Sequence, residues 1–414
     1  MHTVVVAPSN VASFPEGGGH FWVYMQYVQG LRSLGIDVYW LERFRPSGDS
    51  RRDSMALELF EGRMASFGMS GKTLLYTEQR AGQGGLAQVR EFRCDPGKAE
   101  AVFDEADLLM NFHYGMAPDL LRRFRRTALV DIDPGLLQFW ISQGQIDVAP
   151  HDVYFSTGET VGTEQARFPD CGLDWQRIRP PVCLDSWPYF YRPQSKAFTT
   201  VSGWWGGDGK GEFIVDGRGA IYENNKRVTF LQYLGLPELT DQVLELALNL
   251  GEGDAPEASG SLGRESWPHA GGGSVTDYVS DAADRKLLES RGWRVRHAYE
   301  VAASPDAYRN YVQASRGEFS CVKPSCIRFQ NAWVSDRTLC YLASGKPVIT
   351  QHTGPSRILP NGEGMFRFET LEEAAQALRV VDSDYERHCR AARRLAESCF
   401  DARTILTRLL ATAV

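Results

Sequence analysis

Apolar positions along this chain follow two alternating periods. "TVVVAP" (3–8) is a continuous β-branched run, which predicts a buried strand. A Gly-rich loop follows. Apolar residues then recur at helical spacing over 21–34, until Gly35 ends the helix and "GIDVYWLE" opens a second strand. "ADLLMNFH" (106–113) and "TALVDID" (127–133) predict two further strands, with the helical pattern "APDLLRRF" between them. Strands alternating with helices predict a parallel, doubly wound sheet. The Pro-rich stretch "RPPVCLDSWPYFYRPQSKA" (179–197) breaks this rhythm and marks a domain boundary.

The alternation then restarts. "FTTVSGW" predicts a strand, "TDQVLELALNL" a helix opened by Thr240, and "WRVRHAYE" a strand. "SPDAYRNYVQAS" predicts a helix with Ser304 as N-cap and Pro305 at its first position. A short helix after Ser335, the strand "KPVIT" and a long helical region from Leu371 complete the pattern. The Gly/Ser-rich segment 251–274 predicts a surface loop. The expected organisation is a first α/β domain over 1–185, a second over 186–385, and a helix over 386–414 that crosses back to the first. In two such domains facing each other, ligands sit at the carboxyl ends of the strands, between the domains.

Composition narrows the picture. A chain of 414 residues is long for one core, in keeping with two domains. Its formal net charge of −7 argues against a nucleic-acid partner, since phosphate backbones recruit a basic face. No apolar run is long enough for a membrane span, and "MHTVVVAPSN" has no basic and apolar leader pattern, so the expectation is a cytoplasmic protein. The 8 Cys form no CxxC pair and no Cys/His cluster, which leaves reduced thiols as the simplest reading.

The chemistry concentrates at "SDRTLCYLASGKPVITQHTG" (335–354), where Ser335, Asp336, Arg337 and Thr338 open one helix. A helix start offers unpaired N–H groups and a partial positive charge, both of which favour phosphate oxygens. Arg337 adds a forked, permanent charge, and Ser335 and Thr338 add hydroxyls. Asp336 caps the helix or accepts from a ligand hydroxyl. The same four residues also make a well-capped helix with an Arg on its outer side. "TTVSGWWGGDGKG" (199–211) follows the first strand of the second domain, and its small residues, Ser202 and Gly203 among them, let backbone approach a phosphate, with Lys210 adding charge. It is no P-loop: Gly203 and Gly209 are one position too far apart, and Gly211 stands where Ser or Thr is needed. Lys323 is a further phosphate candidate.

The segment 335–354, with "SPDAYRNYVQASRGEFS" before it, resembles the donor half of GT-B fold glycosyltransferases. The resemblance implies two Rossmann-like doubly wound domains facing across a cleft. It places the diphosphate of a nucleotide sugar at Asp336, Arg337 and Thr338, and the helix end at Gly345, Lys346 and Pro347. The nucleotide base then falls at the end of "RHAYE", with His297 and Glu300 as candidates. One departure stands out. Retaining members carry two Glu residues eight positions apart, the second inside this helix, whereas here that helix position is Cys340 and Glu318 lies far upstream.

In the first domain the resemblance aims "SFPEGGGHFW" at the reacting sugar, with Gly18 and Gly19 leaving room for it. "GGGHFW" does not match GxGxxG. His20 becomes the base that deprotonates an acceptor hydroxyl, a task suited to an imidazole with a pKa near neutrality. Its orienting carboxylate is expected at Asp133 or Asp131, with Asp133 preferred. Asn111, His113 and Glu159 are candidate acceptor contacts, and the aromatic run "WPYFYRP" stacks on an acceptor or packs between the domains.

The implied activity is transfer of a hexosyl or deoxyhexosyl unit from a UDP- or dTDP-sugar to a small-molecule acceptor, inverting and metal-independent, as in specialised metabolism. No cofactor is expected beyond the donor itself, no DxD-type pair sits near the donor helix, and a homodimer is left open. Two rivals share the residues: a nucleotide-sugar 2-epimerase of the same fold, and a non-catalytic sugar-nucleotide binding protein.

Overall fold

The computed structural model describes residues 2–80, 87–94, 96–206, 211–215, 219–250 and 281–413. The run Val4–Val6 lies at the centre of a first sheet, buried on both faces as a continuous apolar strand requires. That sheet contains β1 (Thr3–Ala7), β2 (Asp37–Arg43), β3 (Thr73–Arg80), β4 (Ala87–Phe92), β5 (Leu108–Asn111), β6 (Thr127–Asp131), β7 (Val153–Ser156) and β8 (Trp175–Arg177). Its order is β4-β3-β2-β1-β5-β6-β7-β8, parallel throughout except between β3 and β4.

The second sheet opens with β9 (Ala197–Gly203), followed by a separate hairpin of β10 (Phe213–Val215) and β11 (Ile221–Glu223). It continues with β12 (Val243–Asn249), β13 (Arg294–His297), β14 (Gly317–Ser320), β15 (Val348–Gln351) and β16 (Met365–Phe368). The order β13-β12-β9-β14-β15-β16 is parallel throughout. In each sheet the strand order reverses beside the first strand, at β1/β5 and at β9/β14. Ligands of such sheets bind at the carboxyl ends of those strands.

The helices of the first half are α1 (Gly18–Ser33), α2 (Ser50–Ser66), α3 (Pro96–Glu105), α4 (Pro118–Leu121) and α5 (Leu136–Ser142). Those of the second are α6 (Lys226–Gln232), α7 (Asp281–Ser290), α8 (Ala298–Ala302), α9 (Pro305–Ala314), α10 (Pro324–Phe329) and α11 (Asp336–Ala343). The chain closes with α12 (Leu371–Ser383), α13 (Tyr385–Cys399) and α14 (Ala402–Ala413).

The structure corrects two expectations. "TDQVLELALNL" is not a helix: Leu244, Leu246 and Leu248 alternate with Glu245, Ala247 and Asn249 at the period of a strand, and the segment forms β12 between β9 and β13. The return crossing also comes later than residue 386. Gly364 packs against Ala391 and Ala392, and Gly345 against the Cys389 carbonyl, which keeps α13 on the second half. The chain crosses at Phe400–Ala402, where Val182 N donates to the Phe400 carbonyl (2.8 Å) and Ala402 N to the Val182 carbonyl (3.1 Å). Beyond it, α14 lies on α1, with Leu406 and Ala402 against Gly30 and Arg403 Nε donating to Ser33 Oγ.

α1 is also the spine between the halves. Trp22 Nε1 donates to the Pro305 carbonyl at 2.9 Å, and Gln26 Nε2 reaches Cys340 Sγ at 3.8 Å. Apolar side chains cover the helix nearly all round, from Phe21 to Leu31, because sheet, α9, α11 and α14 each take a face. A second set of ties lies on the far side of the cleft: Asn331 Nδ2 donates to the Pro134 carbonyl (2.8 Å) and Thr160 Oγ1 to the Gln330 carbonyl (2.9 Å).

Candidate functional site

Between these two seams the carboxyl ends of the sheets face each other. On the first half the loop after β1 turns sharply at Asn10 (φ 62°), a left-handed conformation that asparagine tolerates. Glu42, buried on β2, fixes this loop by accepting from the Val11 and Ala12 amides while Trp40 Nε1 donates to its other oxygen (2.8 Å). Burial pushes the Glu42 carboxyl up to about 7.

The loop so fixed presents the Ser9 carbonyl to His20, whose Nε2 lies 2.8 Å away. A carbonyl only accepts, so Nε2 carries the proton and Nδ1 carries the lone pair. Nδ1 has no hydrogen-bond partner among the described residues. Burial pushes the His20 pKa below its ordinary value, while the Ser9 bond and Asp133 oppose this. His20 lies on a cavity of about 450 Å³ with Ser9, Asn10, Tyr24, Arg45, His113, Tyr114 and Asp133 on its walls. The ring packs edge-on against Tyr24, one helical turn later (centroids 5.3 Å apart).

The wall formed by the second half carries three cations. Lys323 at the start of α10 and Arg337 at the start of α11 stand close enough to perturb the charge of Lys226 at the start of α6. Arg337 is buried and turned inward: Nε donates to Glu318 Oε1 (2.7 Å) and Nη1 to the Val201 carbonyl (3.1 Å). Lys323 Nζ lies 2.7 Å from Glu212 Oε2. Lys226 has no anionic partner in hydrogen-bond contact among the described residues; burial, then Arg337 and Lys323, bring it down to about 7. The two walls interact, since Asp133 feels Lys323 and Glu212, and Asp336 feels Lys226 and Asp133.

Several sequence-predicted residues take other roles. Asp133 lies in the His20 cavity, but its carboxylate accepts from Tyr114 Oη (3.3 Å), and the group that orients His20 is the Ser9 carbonyl. Gly18 and Gly19 make room for the second domain and not for a sugar. A Cβ on Gly18 would meet the Ser304 carbonyl oxygen at 2.2 Å, and one on Gly19 would meet the Tyr308 ring at 3.0 Å. Asn111 is fully buried, accepting from His113 N (2.8 Å) and approaching His151 Nε2 (3.0 Å), so its side chain is no acceptor contact. Glu159 crosses the cleft edge to Arg357 N (2.7 Å) and Ser356 Oγ and acts as an interdomain tie. His297 caps α8: Nδ1 accepts from Tyr299 N (3.2 Å) and Nε2 donates to the Leu250 carbonyl (2.8 Å), which commits both nitrogens.

The rest of the donor cluster stays at the cleft. Ser335 is the N-cap of α11 and accepts from Arg337 N (3.3 Å), while Asp336 is half-buried and Thr338 is buried on the first turn. Ser202 and Gly203 end β9, with Ser202 Oγ donating to the Gly203 carbonyl (2.8 Å). Lys210 and the segment 251–274 lie outside the described residues. Sequence reasoning missed Lys226, Glu212, Tyr24, Tyr114 and Arg45. Tyr24 carried a signal, because it shares a helix face with His20; the others gain their place through tertiary contacts.

No family model and no curated protein matches this chain. Solved structures do. A glycosyltransferase from Rickettsia africae ESF-5 is similar over 100% of this chain and 97% of its own, with a TM-score of 0.54 and 10% identity. AviGT4, a glycosyltransferase involved in avilamycin A biosynthesis, covers 100% and 97% at a TM-score of 0.53 and 13% identity. An alpha-glucosyltransferase in complex with UDP and a 13-mer DNA covers 100% and 99% at a TM-score of 0.55 and 10% identity. At this identity the likeness is one of fold: two Rossmann-like domains in the GT-B arrangement.

Proposed function

We propose that this chain is a glycosyltransferase that moves a hexosyl or deoxyhexosyl unit from a UDP- or dTDP-sugar to a hydroxyl of a small-molecule acceptor, with inversion and without a metal ion. One observation carries the reading: Asp133, on the wall of the His20 cavity, feels Lys323 of the second half, and Lys323 and Arg337 in turn perturb Lys226, which brings a base and a set of cations toward each other near the switch points of the two sheets. A glycosyl transfer needs both ends of that arrangement. The acceptor hydroxyl must lose a proton as it attacks the anomeric carbon, and the departing diphosphate gains negative charge as its bond to that carbon breaks.

His20 suits the first task because the Ser9 carbonyl holds the proton on Nε2 and burial keeps the ring neutral, which leaves Nδ1 to act as base. For the second task Lys226 and Lys323 supply the charge, with the α11 start beside them. Arg337 contributes chiefly by holding that helix start against Glu318 and the end of β9. Fixed cations at the leaving group support a metal-independent reaction, and undiminished turnover in EDTA is the corresponding test.

A groove of about 980 Å³ along α2 shares Arg45 with the His20 cavity, which gives room for an acceptor larger than a monosaccharide. The net charge of −7 and the recessed base favour such a molecule over a nucleic acid, although one structural neighbour holds DNA. UDP in that neighbour supports a uridine donor.

His20→Ala is the decisive variant. It is expected to lower kcat by about 10²- to 10⁴-fold while nucleoside diphosphate affinity stays unchanged. A non-catalytic binding protein would show no turnover to lose. NMR of the product anomer reads inversion directly. One observation favours a second reading, a nucleotide-sugar 2-epimerase of the same fold: Asp133, Glu212 and Asp336 bring three carboxylates to the cleft. Turnover of the donor without any acceptor would select it.

A further inference from the structure

Building on the donor-site reading above, we infer that Glu212 is a product-release residue: its carboxylate holds Lys323 in the empty cleft, yields it to the outer phosphoryl group of the donor, and reclaims it as the nucleoside diphosphate departs. Glu212 Oε2 stands 2.7 Å from Lys323 Nζ, with both side chains largely buried. This is no loose surface pair. Asn224 ties the two residues together, since its N–H donates to the Glu212 carbonyl (2.7 Å), its Nδ2 donates to Glu212 Oε1, and its Oδ1 accepts from Ser325 N (2.8 Å), two residues after Lys323. Glu212 N in turn donates to Asn225 Oδ1 (2.9 Å). Two residues beyond Glu212, Ile214 is buried with Phe329 of α10 and with Leu136 and Phe139 of α5. The loop therefore delivers one carboxylate to one lysine.

Charge explains why a carboxylate stands there. Among the three cations, Arg337 is matched by Glu318 inside the fold, and Lys226 has no anion in hydrogen-bond contact among the described residues. Lys323 is the one matched from the cleft, and it is also the one that feels Asp133 across the gap, so it lies toward the reacting end. Two unmatched lysines would hold a diphosphate tightly, and product release limits kcat in many enzymes. A resident anion that competes for the outermost cation lowers affinity mainly by speeding dissociation. The exchange leaves Lys323 paired at every stage, which avoids a buried, uncompensated ammonium.

The test measures Kd by calorimetry and dissociation by stopped flow. Its probes are whichever of UDP, dTDP, GDP and ADP binds the wild type most tightly, and the matching monophosphate. Glu212→Gln keeps the shape of the side chain and its acceptor for Asn224. It is expected to tighten the diphosphate about tenfold, chiefly through slower release, and the monophosphate by less than about twofold. Glu212→Asp, which keeps the charge but falls short of Lys323, is expected to lie between. In a Lys323→Met background Glu212→Gln is expected to change nothing. A purely structural Glu212 would give unchanged or weaker binding in Glu212→Gln, or equal gains for both ligands, and any of these overturns the inference while leaving the donor site in place. Failure of every diphosphate to bind the wild type removes the donor-site reading itself, and this inference with it.

Discussion

His20 can act as a base only with an unprotonated nitrogen near neutral pH, and that condition traces to a carbonyl. Ser9 fixes the tautomer, and Glu42 fixes Ser9 through the Val11 and Ala12 amides. Tyr24 escapes the sequence reading, whereas His20 is legible there through the resemblance carried by its loop and helix start. The Ser9 contact is not, because a main-chain acceptor has no residue signature, whereas Asp133 offers a visible carboxylate. Lys226 was equally invisible, since burial and two neighbouring cations give it its character. Its pKa of about 7 makes a prediction. Below about pH 7 the ammonium meets the diphosphate already charged; above it, binding must recruit a proton. Affinity for the tightest nucleoside diphosphate should therefore fall by up to about tenfold per pH unit above pH 7. Lys226→Met should bind more weakly and lose most of that dependence. Calorimetry between pH 6 and 9 reads both effects. A wild-type profile flat across that range would contradict the role given to Lys226.

Among the elements, α1 bridges the two halves, meeting the first sheet, α9, α11 and α14. Gly18 and Gly19 illustrate what a one-dimensional pattern conceals. Three glycines before a histidine suggest space for substrate, yet the space is filled by the backbone of 302–304 and the Tyr308 ring. Contacts between domains leave no periodicity in either partner. Gly18→Ala would place a methyl group 2.2 Å from the Ser304 carbonyl oxygen, so the halves must separate or the helix start must shift. The expected cost is about 1–3 kcal/mol, read by chemical denaturation. Wild-type stability in this variant would show that the seam is slack. Glu159 closes the opposite edge, and Glu159→Gln should disturb the Arg357 and Ser356 contacts. The expected outcome is faster amide exchange in the loop after β15, with α1 unaffected. β12 was misread because its Leu, Glu and Ala favour helices, whereas its alternation and its place between two strands decide the outcome.

For the whole molecule, the alternation of elements was enough to anticipate two Rossmann-like halves, and the resemblance at 304–354 implied the GT-B arrangement that the solved structures share. The point of return was less legible, because it depends on the hydrogen bonds joining Val182 to Phe400 and Ala402. The joined halves place a neutral histidine opposite a set of lysines, and the proposed chemistry requires both to serve one ligand. Isothermal titration of the wild type and Lys226→Met with UDP, dTDP, GDP and ADP tests this most directly. The account predicts saturable one-to-one binding of UDP or dTDP to the wild type and at least about tenfold weaker binding to the variant. Absence of binding by all four nucleotides, or equal affinity in the two proteins, would contradict it.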